Sequence, residues 1–185
     1  MSEQSSLRVG TRVLGLDPGL RTTGYAVVEF QGNRLRLCEA GVIRPAPALS
    51  LEARLRELYE GMMEVLRSWQ PTFAALEELF THAVYRRTAV LMGHARGVIC
   101  LACAQAGVTV VHYSATQVKK MLTATGRAGK QQVQLAVSRE LGLEEVIEPP
   151  DVADALALAI CHGYTIAKKS FLEKGSCSSQ GLNPR

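Results

Sequence analysis

The chain reads as an α/β protein: a mixed five-stranded sheet flanked by helices. Three observations predict this class. Residues 13–43 hold three strand-like segments separated by short turns, the pattern of a meander. Short apolar strands then alternate with helical stretches, the pattern of parallel β-α-β units. Hydrophobic residues at 47% and charged residues at 21% are ordinary globular values, which exclude a disordered or fibrous chain.

The elements follow in order. Val13 to Leu16 is a short apolar run stopped by Asp17-Pro18-Gly19, a sharp turn at a strand end. Thr23 to Phe30 is β-branched and aromatic, and Gln31-Gly32-Asn33 turns it into a third strand, Leu35 to Ile43. Ser50 caps a helix whose apolar face is Leu51, Leu55, Leu58, Met62, Val65 and Trp69, at steps of four and three, closed by Pro71. Phe73 to Leu76 is a short buried strand ending in Glu77-Glu78. An alanine-rich helix runs from about Ala83 to Ala106, with Gly107 as its stop. Val108 to Tyr113 is the fifth strand, and Ser114 opens a short helix through Lys119 and Met121. Thr123 to Gly129 reads as a loop, Lys130 to Leu141 as a helix stopped by Gly142, and Asp151 to about Lys168 as the last helix.

At 185 residues one domain is expected, spanning 10–169, with 1–9 and 170–185 as disordered termini. The net charge of +4 permits a nucleic-acid partner without requiring one. No run of 18 apolar residues and no basic-then-apolar leader is present, so no membrane association is expected. Five scattered cysteines lack framework spacing and read as reduced thiols of a cytoplasmic protein.

Four acids stand where structure gives them meaning. Asp17 ends the first strand and Glu77 the fourth, while Asp151 and Asp154 lie three apart in the first turn of the last helix, on one face. Singly each has an ordinary reading: a turn acid, a loop start, two residues complementing the helix dipole. Brought together, four carboxylates repel unless a cation neutralises them, and hard oxygen donors suit Mg²⁺ or Mn²⁺. Two such ions about 3.5–4 Å apart stabilise the attacking and leaving oxygens of an in-line phosphoryl displacement.

Leu14 to Tyr25 (LGLDPGLRTTGY) resembles the first motif of the RuvC family of junction resolvases. Ala75 to Phe80 (ALEELF) resembles the second, Gly93 to Val98 (GHARGV) the central helix, Gln117 to Lys120 and Lys130 to Val133 the two lysine-bearing segments, and Asp151 to Ala157 (DVADALA) the C-terminal acidic motif. Each is weak alone; the ordered set from about Val13 to Tyr164 is specific. The resemblance implies an RNase H-like fold and a bacterial homodimer that nicks a four-way DNA junction symmetrically with Mg²⁺, two ions per site. It also implies work beside the branch-migration complex RuvA–RuvB. It makes Asp17, Glu77, Asp151 and Asp154 the metal-binding tetrad, with Asp17 bridging both ions. It places Lys119 and Lys130 at the scissile phosphate as point charges. Lys120, Arg86, Arg87, Arg21 and Arg127 become candidates for backbone contacts, and Phe80 for stacking on an unpaired base, with Tyr85 a weaker one.

Other readings stay open. An actin-like ATPase also begins with a strand and an Asp-x-Gly turn, but 185 residues leave little room for its second lobe. An RNase H-like nuclease of RNA precursors shares the acids. A non-catalytic junction-binding protein would keep the cations and lose the acids. Cys100-x-x-Cys103 lies in an apolar helix without a second pair and reads as packing. His162, two turns beyond the acids, reads as structural, and His82 and His94 as surface or interface residues. The small residues from Leu91 to Ala106 permit a close helix contact between two copies.

Overall fold

The computed structural model describes residues 10–31, 34–78, 86–145 and 147–177. Five strands, β1 (Thr11–Asp17), β2 (Thr23–Gln31), β3 (Arg34–Ile43), β4 (Phe73–Glu77) and β5 (Thr109–Tyr113), form one sheet in the order β3-β2-β1-β4-β5. The meander β1–β2–β3 is antiparallel, whereas β4 and β5 join β1 in parallel through helical crossovers. The expected mixed sheet is therefore present, and the first strand lies at its centre.

Helices α1 (Leu51–Trp69) and α2 (Arg86–Gln105) cover one face, while α3 (Ala115–Thr123), α4 (Lys130–Glu140) and α5 (Pro150–Cys177) cover the other. The pleat sorts the side chains. Leu14, Leu16, Ala74 and Leu76 pack with Leu58, Met62, Ile99 and Cys103 on the α1/α2 side. Val13, Ala26, Val28 and Ala75 pack with Val133, Leu156 and Ile160 on the α5 side.

Local chemistry sets the helix limits. Ser50 accepts the Ala53 N–H at the start of α1, and Gln70 ends that helix in the left-handed region. Gly107 and Gly142 both take positive φ as Schellman stops: Val108 N–H donates to the Cys103 carbonyl, and Leu143 N–H to that of Ser138, each at 2.9 Å.

Two expectations need correction. α5 continues past Lys168 to Cys177, because no Gly or Pro follows Lys168 until Gly175. The stretch Thr88–Gln105 of α2 is long and apolar enough to cross a membrane by length and composition, although it contains no unbroken apolar run. Ala95, Ile99, Ala102 and Cys103 bury one side of it against the sheet, and Val90 and Leu101 on its outer side are 60% and 53% exposed.

Candidate active site

Strand alternation aims two acids at one place. Leu16 and Leu76 are paired across β1 and β4 and both face α1 and α2, so the next residues, Asp17 and Glu77, both turn to the α5 face. Parallel neighbours stand about 4.8 Å apart. Two carboxylates thus end adjacent strands side by side.

Glycines let α5 bring the other two. A Cβ on Gly15 would stand 1.8 Å from the Ala155 carbonyl oxygen, and one on Gly24 2.1 Å from that of Asp151. Gly24 is the strand partner of Asp17. The backbone of the first turns of α5 therefore lies directly on β1 and β2, with Asp151 and Asp154 over the strand ends. Only residues without a side chain permit that approach.

The cations come from the short helices. Ser114 and Gln117 form a reciprocal capping box that starts α3 immediately after β5. This fixes Lys119 beside Glu77, Lys130 and Asp154 around a cavity of about 240 Å³. Lys130 is the first residue of α4, a position where the helix dipole disfavours a cation. Its Nζ lies 3.0 Å from Asp154 Oδ2. Burial works against the ammonium, but the hydrogen bond to Asp154 and the charges of Asp154, Asp17 and Asp151 outweigh it and raise its pKa.

The acids carry unbalanced charge. Asp17 is pushed up to about 7, first by burial, then by the charges of Glu77, Asp154 and Asp151, with Lys130 offsetting part. Glu77 is also raised, by burial and then by Asp154, against the pull of Lys119, Lys130 and Arg96. Four carboxylates without thiol or imidazole make a hard donor set, and the raised Asp17 marks a charge excess that a divalent cation would relieve. The residues fit such an ion. Among the described residues, however, no three metal-binding side chains already converge on one point. The acids feel one another's charge without meeting at one point, and Asp154 is engaged by Lys130.

The other expected residues fall apart from this centre. Lys120 is exposed and lines a separate groove with Thr116, Thr125 and Arg127. The backbone of Arg86 and Arg87 begins α2, but their side chains lie outside the described residues, as do Phe80, His82 and Tyr85. His162 is buried, held by Tyr113 Oη at 2.8 Å from its Nδ1, and burial lowers its pKa to about 4. It lies in the core, where it packs edge-on against Phe73. Sequence reasoning missed Arg96, whose Nη1 donates to the Glu77 carbonyl and whose Nη2 lies 2.6 Å from His112 Nδ1, tying the end of β4 to β5. A lone arginine in the middle of an otherwise apolar helix was the available signal.

A five-stranded sheet in this order, with acids ending two neighbouring parallel strands and two more on the helix above them, defines a nuclease of the RNase H-like class. The sequence profile of the crossover junction endodeoxyribonuclease RuvC family matches residues 13–162. The chain belongs to this family. A RuvC from Rhodopirellula baltica is 55% identical over 152 residues, covering 82% of this chain and 85% of its own. One from Desulforamulus reducens is 47% identical over 150 residues, covering 81% and 91%. Among solved structures, Thermus thermophilus RuvC in complex with a Holliday junction substrate superposes with a TM-score of 0.81 at 33% identity, over 86% of this chain and 97% of that one. A yeast mitochondrial Holliday junction resolvase shares the fold, with a TM-score of 0.65 at 11% identity, over 96% of this chain and 89% of its own.

Proposed function

We propose that this chain resolves four-way DNA junctions by symmetrical nicking, with Asp17, Glu77, Asp151 and Asp154 as the metal-binding and catalytic carboxylates. The observation that supports the reading is that β1, β4 and α5 bring these acids to one end of the sheet, where burial first, and then the charges of the other three, push the Asp17 pKa up to about 7. Mg²⁺, or Mn²⁺ in its place, bound as a pair, would supply Lewis-acid stabilisation to the attacking and leaving oxygens of the phosphodiester. Asp17, central on the sheet and adjacent to Glu77, would hold the ions together with Glu77, Asp151 and Asp154. Lys119 holds a phosphate oxygen at the cavity rim. Lys130, 3.0 Å from Asp154 on the same cavity, would supply a second positive charge to the phosphate. Lys120, Arg86, Arg87 and Phe80 contact the junction outside the reacting centre.

Two copies act together on a junction of two-fold symmetry. The outer side of α2 supports this homodimer. Val90, His94, Gly97, Leu101 and Ala104 form one exposed stripe, and a Cβ at Gly93 or Gly97 would meet nothing within 4 Å in the chain. Helical glycine costs about 1 kcal/mol against alanine, a cost that packing within one copy does not explain and a closely packed second helix does. The branch-migration complex RuvA–RuvB is the partner that delivers the junction, in the reducing bacterial cytoplasm. Free Cys38, Cys100, Cys103 and Cys161 suit that compartment.

The test is a synthetic four-way junction with Mg²⁺, beside linear duplex and RNA–DNA hybrid. Paired nicks in the junction alone, lost in Asp17→Asn while binding persists, are expected. Binding without cutting would support a non-catalytic junction protein, and cutting of the hybrid alone an RNA nuclease; neither alternative is favoured by the two relatives above, both named as crossover junction endodeoxyribonucleases.

A further inference from the structure

A second basic groove borders the acids from the other side of the sheet. It has a volume of about 870 Å³; its polar lining is Arg21 and Thr22 of the turn between β1 and β2, Arg54 of α1, Thr88 of α2 and, at its inner edge, Asp151, and the rest of its wall is apolar or glycine. Lys119 and Lys130 lie over the opposite face with α3 and α4. The first turn of α5 stands between the two grooves, giving Asp154 to one and Asp151 to the other.

The two arginines are underused. Arg54 Nη2 donates to the Leu20 carbonyl at 2.9 Å, which fixes the guanidinium against the turn, yet its buried Nε has no hydrogen-bond partner. Among the described residues, Arg54 and Arg21 have no carboxylate partner; several other arginines share that lack, but Arg54 combines it with half-burial and an Nε without a hydrogen bond. A half-buried guanidinium costs desolvation free energy that an anion offsets. We infer that this groove holds a second DNA phosphate, neighbouring the one that is cut, between Arg21 and Arg54. The proposal rests on the junction-nuclease reading and deepens it: the strand is gripped on both sides of the acids, so the scissile bond is drawn taut across them. Asp151 repels a free anion at the inner edge, so the groove favours a phosphate delivered as part of a bound strand. The Thr22 and Thr88 hydroxyls supply the remaining donors.

The experiment measures binding of the dimeric protein to four-way junctions in Ca²⁺. Each junction carries one neutral methylphosphonate at a successive position around the cut. For the wild type, neutralising one linkage beside the cut weakens binding several-fold. In Arg21→Ala and Arg54→Gln that linkage no longer matters, and the slope of log affinity against log salt becomes shallower by about 0.9, the value for a single phosphate. Arg56→Ala, on the same helix but outside the groove, keeps the wild-type slope. Arg21 is exposed, so its variant carries the test even if Arg54→Gln loosens the turn. Wild-type sensitivity persisting at every linkage in both variants overturns the groove while leaving the junction reading intact. Absence of junction-selective binding by the wild type overturns both.

Discussion

Asp17 shows how a single residue stores the tension of this site. Its carboxyl is pushed up to about 7 in the folded chain, against an ordinary 3.8. The folded state therefore holds a proton that the unfolded state has released. This contribution to stability is full below pH 4 and is lost as pH rises through 7. In metal-free buffer at pH 8, Asp17→Asn is expected to melt at a higher temperature than the wild type. The gain is bounded at roughly 4 kcal/mol and reduced by the solvent that reaches the carboxyl. Addition of Mg²⁺ should stabilise the wild type and not the variant; equal shifts in both would remove Asp17 from the metal site. Gly15 acts through backbone contact. Gly15→Ala drives a methyl into the Ala155 carbonyl, so α5 must move off β1. Overpacking of this kind costs about 2 kcal/mol or more, read by urea denaturation, and nicking should fall further than junction binding because Asp151 and Asp154 move with the helix. Lys130→Gln tests the ion pair with Asp154. Half-saturating Mg²⁺ should drop as its competitor leaves, while the cutting rate falls on the order of a hundredfold.

At the scale of elements, α2 and α5 use apolar residues differently. α5 is buried along most of its described length, lying on β1 and β2 and flanked by α4. α2 buries only one side, and its outer stripe is larger than scattered surface residues require. Leu101→Glu should leave the folded subunit within about 0.5 kcal/mol of the wild type, as exposed substitutions do. It should also convert the protein to a monomer in sedimentation. A dimer that persists with wild-type affinity would move the interface elsewhere. The short helices show the reverse economy: α3 and α4 bury few side chains each, and their caps serve to place one lysine apiece beside the acids.

Over the whole molecule, two buried groups pull the pH dependence of stability in opposite directions. His162 has its pKa lowered to about 4 by burial, so its contribution is full above 6.5 and is lost as pH falls through 4. Asp17 works with the other sign across an overlapping range. The metal-free wild type should therefore show a flattened stability profile between pH 4 and 6.5. Asp17→Asn should reveal a rise with pH over that interval, measured by urea midpoints in a series of buffers. A rise of the same size in the wild type would show that Asp17 does not hold its proton.

Much of this architecture was legible in the residues alone, because it is written in local chemistry. The β-branched and aromatic run from Thr23 to Phe30, the four-three spacing from Leu51 to Trp69, and the stops at Gly107 and Gly142 act over a few positions. The acids could be singled out because Asp17 and Glu77 end strands and Asp151 and Asp154 share a turn. Their meeting could not be read. It depends on β4 pairing in parallel with β1, 60 positions away in sequence, and on Gly15 and Gly24 allowing α5 to touch the sheet. The Lys130–Asp154 pair, the Arg96 tie to Glu77 and the Arg54 Nε left without a hydrogen bond have the same origin. Propensity and periodicity decide which elements form, since those forces are short-ranged. Which side chains share a cavity, and which charges go unanswered there, is decided only when the packed sheet fixes distances between segments remote along the chain.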